Sequence, residues 1–114
     1  MMFRIDPSAR VWIIPGKTDM RKAVNGLSGI VANQLELDPM SGQYFVFCGR
    51  KRDIIKILYW DRNGYGLWYK RLEEDRFKWP RTAEEARAIS GEQLSWLLSG
   101  LDWERAHPIR RYSH

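Results

Sequence analysis

The chain has 114 residues, 44% of them apolar and 13% aromatic, which is the size and composition of one domain with its own core rather than a disordered segment. Its single cysteine, Cys48, excludes an internal disulfide, and no apolar run approaches the roughly 20 residues that span a bilayer, so a soluble, cytoplasmic protein is expected. The net charge of +5 is unevenly spread, with balances of +1 over residues 1–48, +5 over 49–81 and −1 over 82–114, and this concentration favours a polyanionic partner.

Residues 10–14 (RVWII) read as a strand stopped by Pro15-Gly16. Thr18 or Asp19 then offers a cap for a long helix, because Met20, Ala23, Val24, Leu27, Ile30, Val31 and Leu35 keep a period of about 3.6. Gly26 and Gly29 within it point either to close approach of helix and sheet or to simple tolerance. Asp38-Pro39-Met40-Ser41-Gly42 is turn chemistry.

Next come four strand-like runs, at residues 44–48, 54–60, 65–72 and 76–80, separated by short polar breaks in the pattern of an antiparallel meander. Asn63-Gly64 suits a two-residue hairpin turn, and with that loop Trp60 lies opposite Leu67, Tyr59 opposite Trp68 and Lys56 opposite Arg71. One face then carries Ile55, Ile57, Tyr59, Trp68 and Leu72 with Lys70 as an intruder, and is the expected core. The other carries Lys56, Leu58, Trp60, Leu67, Tyr69 and Arg71, with two cations paired across the ladder.

Beyond the sheet, Thr82 with Glu85 suggests a short helix at residues 83–88, and Ser90 with Gln93 a capping box for a helix that buries Leu94, Leu97 and Leu98 and stops at Gly100, after which Leu101 and Trp103 still pack. The expected fold is therefore α+β: an antiparallel four- to five-stranded sheet (β-meander) with a long N-terminal helix on one face and a short C-terminal helix. Residues 1–103 form a single domain and 104–114 a weakly ordered tail.

The chemistry available is limited. Pro15-Gly16-Lys17-Thr18 looks like the end of a phosphate-binding loop, but the position that needs the earlier glycine is Val11; what survives is a single phosphate held by free N–H groups at the helix start, with Lys17, Arg21 and Lys22 nearby. The two histidines, His107 and His114, stand in the tail, so neither a metal site nor a histidine-dependent catalytic pair is expected, and no cofactor. Asp19, Asp38, Asp53, Asp61 and Asp75 mostly occupy turn and cap positions. The informative constellation is the basic tip Arg50-Lys51-Arg52 beside Lys56, Trp60, Tyr69 and Arg71, cations interleaved with rings as in sheets that bind nucleic acid. The rival reading has the rings filling a second core beneath the C-terminal helix.

These residues also carry a resemblance. Pro15-Gly16-Lys17-Thr18-Asp19-Met20-Arg21-Lys22 with Gly26-Leu27, Asp38-Pro39-Met40-Ser41-Gly42, Lys56-Ile57-Leu58-Tyr59-Trp60-Asp61, Gly64-Tyr65-Gly66-Leu67, Phe77-Lys78-Trp79-Pro80 and Gly100-Leu101-Asp102-Trp103 resemble the TnpB-type accessory protein, the second open reading frame, of bacterial insertion sequences of the sixty-six family. The resemblance implies a non-catalytic transposition accessory factor working beside a separate, large transposase. From the placement of cations and rings, the expected nucleic-acid contacts are Arg50, Lys51, Arg52, Lys56, Lys70 and Arg71, with Arg21 and Lys22 as a second group and Trp60 and Tyr69 as stacking candidates. The expected partners are DNA at element ends and the transposase, with a homo-oligomer left as an option and no membrane. The alternatives are a protein-interaction adaptor without DNA contact and a metal-dependent nuclease.

Overall fold

In a computed structural model, residues 7–81 and 88–98 are described, the last group beginning with two residues of which only the backbone is. The element order is β1 (Arg10–Ile13), α1 (Val24–Asn33), β2 (Tyr44–Cys48), β3 (Ile54–Asp61), β4 (Gly64–Arg71), β5 (Ala88–Ser90) and α2 (Gly91–Leu98). The sheet is mixed, not a pure meander. Its order is β4-β3-β2-β1-β5, with β1 parallel to β2 and all other pairs antiparallel. Strands β1 to β4 form its body, and three-residue β5 extends the β1 edge. The expected strand at 76–80 is an extended strap instead: the Phe77 amide donates to Arg52 O, while Pro80 O accepts from Gly16, so its backbone bonds go to two loops rather than to one neighbouring strand.

Both faces of the sheet are closed, which explains why β2 reads as an uninterrupted apolar run with four fully buried residues. On one face Val11, Ile13, Val46, Cys48, Ile55 and Ile57 pack against Leu94 and Leu97 of α2 and Phe77 of the strap. On the other, Phe45, Phe47 and Leu58 pack against Leu27 and Val31 of α1. Ile55 and Ile57 thus lie under α2 and the ringed face under α1, so a second core does exist, but beneath the N-terminal helix rather than the C-terminal one.

Helix α1 is ten residues long and starts uncapped at Ala23, well after the predicted caps. Those caps serve a separate turn, in which Asp19 Oδ1 accepts from the Arg21 amide at 2.9 Å and Asp19 O from the Lys22 amide at 3.1 Å. Lys56 then places its ammonium 2.8 Å from Met20 O and 2.9 Å from Lys22 O. Those are the carbonyls that a helix begun at Met20 would need for Val24 and Gly26, so the lysine competes with the helical bonds and holds the start back. Nor does the sheet approach Gly26 or Gly29: the nearest group to the open side of Gly26 is the aliphatic stem of Lys22.

The β3–β4 hairpin closes with Arg62-Asn63 as its loop, Asp61 opposite Gly64, instead of Asn63-Gly64. Each predicted pair shifts by two residues, so Trp60 faces Tyr65, Tyr59 faces Gly66 and Lys56 faces Tyr69. A two-residue shift leaves every side chain on its predicted face. It also removes the Lys56–Arg71 opposition, since Arg71 faces Ile54. Glycine at 66 lets the Tyr59 ring lie across the edge strand, and Trp60 meets Tyr65 edge-on at 5.1 Å.

The Asp38 turn forms as read, Asp38 Oδ1 accepting from the Met40 amide at 2.9 Å and Gly42 adopting φ +89°. The capping box also forms, each of Ser90 and Gln93 accepting from the other's amide at 3.1 Å. The expected helix at 83–88 lies outside the described residues except at its last position, which belongs to β5; the Gly100 stop, the packing of Leu101 and Trp103, and the tail lie outside them altogether. Among the described residues no helix is long and apolar enough to cross a membrane.

Cys48 is fully buried, and burial pushes its thiol up to about 11, an effect that the neighbouring Arg52 partly offsets. It should resist alkylation at pH 8 in the native protein and react at once in urea; native-state labelling at the rate of a free thiol would contradict this packing. Because the folded pKa is raised, its linkage penalty is absent below the unfolded value and grows as pH rises through the window between the unfolded value and about 11.

Candidate nucleic-acid interface

Three stretches meet at the end of the sheet where β1 and β2 finish and β3 begins. The loop after β1 is joined to the others by Thr18 N–H donating to Cys48 O at 2.9 Å and Gly16 N–H to Pro80 O at 2.9 Å. The turn between β2 and β3 is tied to the strap after β4 by the Leu72 amide on Asp53 O and the Phe77 amide on Arg52 O, both at 2.7 Å, while Trp79 Nε1 donates to Ile14 O at 2.8 Å. Residues 15–22, 49–53 and 71–81 carry charge balances of +2, +2 and +1, so the excess seen in the sequence is gathered at one end of the molecule.

The candidate cations fall into three groups. Arg52, Lys56 and Lys70 hold the fold together: Arg52 Nη1 donates to Gly16 O at 2.8 Å, Lys56 spans Met20 O and Lys22 O, and Lys70 Nζ donates to Leu98 O at 2.6 Å. Lys70, the intruder on an apolar face, thereby meets the negative end of α2, where a cation is favoured. Arg21 and Arg71 make exposed ion pairs, with Asp19 at 2.8 Å and Glu73 at 3.1 Å. Hydrogen bonds from Arg21's side chain and then its amide hold the Asp19 carboxyl well below the usual carboxylate range, and Glu73 raises the Arg71 guanidinium. Exposed pairs of this kind are weak and open to competition by another anion.

Arg50 and Lys51, at the tip of the turn, and Lys22 form the third group: they are exposed, and among the described residues no ion pair or side-chain hydrogen bond engages them. Lys17 has the same environment and joins them. The free-amide idea for this loop fails, because the Gly16 and Thr18 amides are already bonded and α1 begins six residues further on. Of the ring candidates, Trp60 is half-buried against Tyr65, whereas Tyr69 is 51% exposed. Among the described residues no three His, Cys, Asp or Glu side chains stand close enough to hold a metal ion.

Lys56→Met keeps the aliphatic stem and removes the ammonium from two carbonyls. It should lower stability by about 1–2 kcal/mol in urea unfolding while leaving the salt dependence of any nucleic-acid binding as it was. A full-strength fold with weakened binding would reverse the assignment of this lysine to structure.

In form, then, this is a small basic α+β domain with a core on each face of its sheet and a net positive charge at the end where β1 and β2 finish. The chain belongs to the IS66 Orf2-like family, whose model matches residues 9–108, and so to the accessory proteins associated with insertion-sequence transposition. Two relatives from Sinorhizobium fredii (strain NBRC 101917 / NGR234) are similar over nearly the whole chain: uncharacterized protein y4hO, 46% identical over 89% of this chain and 86% of its own, and uncharacterized protein y4jC, 36% identical over 90% and 89%. No solved structure matches.

Proposed function

We propose that this family member is a non-catalytic transposition accessory factor that binds DNA phosphates through the basic end of its sheet while the separate transposase performs the chemistry. The observation that supports it best is the convergence of exposed Arg50, Lys51, Lys17 and Lys22 on one end, with Arg21 and Arg71 beside them in exchangeable pairs. Loops that a domain needs only for connection do not require cations concentrated at one end, and the like-charge repulsion is relieved when a polyanion docks there. Titration of labelled element-end DNA should show affinity falling steeply between about 50 and 200 mM salt, as counterion release requires.

The second reading is an adaptor that docks on the transposase and does not touch DNA. What favours it is the engagement of Arg52, Lys56 and Lys70 with backbone carbonyls, which removes three of the expected phosphate contacts. Co-purification with the transposase, combined with no DNA affinity at low salt, would select the adaptor.

A further inference from the structure

Tyr69 bears on which form of nucleic acid the basic end takes. It lies on β4, which among the described residues pairs only with β3, and half of its surface is open. Its cross-strand neighbour is Lys56, on the row Phe47, Lys56, Tyr69 that faces α1. From that position the Lys56 ammonium reaches Met20 O and Lys22 O, so the turn bearing exposed Arg21 and Lys22 is tied to the residue paired with Tyr69. Arg71 lies two residues along the same strand and therefore on the same face. The other ring candidate, Trp60, is turned against Tyr65.

An open aromatic ring beside cations is the arrangement that stacks an unpaired base while neighbouring phosphates are neutralised. A duplex keeps its bases stacked within the helix and has no free face to offer the ring. Resting on the phosphate-binding reading above, we propose that the ligand is single-stranded DNA, with one base stacked on Tyr69 and flanking phosphates met by Lys22 and Arg71.

The test is fluorescence anisotropy with one labelled oligonucleotide, presented single-stranded, as a duplex and as the RNA of the same sequence, against the full chain and its Tyr69→Ala and Tyr69→Phe variants. The single-stranded DNA should bind about tenfold more tightly than the duplex, Tyr69→Ala should lose about tenfold on the single strand alone, and Tyr69→Phe should keep the affinity because it keeps the ring. Unchanged thermal melting of both variants confirms that folding is not the cause. Equal affinity for single strand and duplex, no effect of Tyr69→Ala on a protein that still binds, or tighter binding of the RNA would overturn this inference and leave phosphate binding standing. Absence of binding to every oligonucleotide would overturn the phosphate-binding reading itself, and this inference with it.

Discussion

Replacing Gly66 by alanine is expected to lower the unfolding free energy by about 2 kcal/mol, the usual scale for forcing an extra group into packed space. The new methyl would coincide with the Tyr59 ring, which crosses the edge strand at its cross-strand partner Gly66. That ring cannot move freely, since it is also packed edge-on to Tyr44 at 5.5 Å and joins the cluster beneath α2. Either the ring leaves its place or the hairpin slides, and a slide by two residues gives the Asn63-Gly64 loop that the sequence favours. A double-mutant cycle with Tyr59→Ala separates the two sites: the tyrosine substitution should cost clearly less in the Gly66→Ala background, with a coupling of about 1 kcal/mol or more. Strict additivity would mean that ring and glycine do not share space.

The same hairpin marks what could be read from the sequence. Apolar runs between polar breaks mark β2, β3 and β4, and the faces expected for β3 and β4 hold, because a face assignment survives a two-residue slip. The loop itself departs from the local turn preference, because the register is fixed by a ring on one strand fitting over a glycine on the other. The parallel insertion of β1 beside β2 and the pairing of β5 join segments far apart in the chain, and strand composition does not encode which strands become neighbours. The late start of α1 has a similar cause, for the lysine that takes its first carbonyls comes from a strand more than thirty residues away.

For the interface, the exposure of Arg50 and Lys51 was legible from three successive cations at a hairpin tip. The internal bonds of Arg52, Lys56 and Lys70 were not, because a long basic side chain reaches whichever carbonyl the tertiary fold offers it. Lys17 carries a signal of its own in Pro15-Gly16-Lys17-Thr18, but that the loop's amides are already bonded to Pro80 O and Cys48 O depends on the tertiary fold.

The second large effect concerns Arg50 and Lys51 together. Neither supports the fold through a bond seen among the described residues, so Arg50→Ser/Lys51→Ser should melt like the parent protein while losing about tenfold or more in DNA affinity at moderate salt. The decisive measurement is the slope of log affinity against log salt concentration for both proteins on the same DNA. Two phosphate contacts removed should flatten that slope by about 2. A variant that folds, binds and keeps the parent slope would contradict the claim that DNA docks on this end of the sheet.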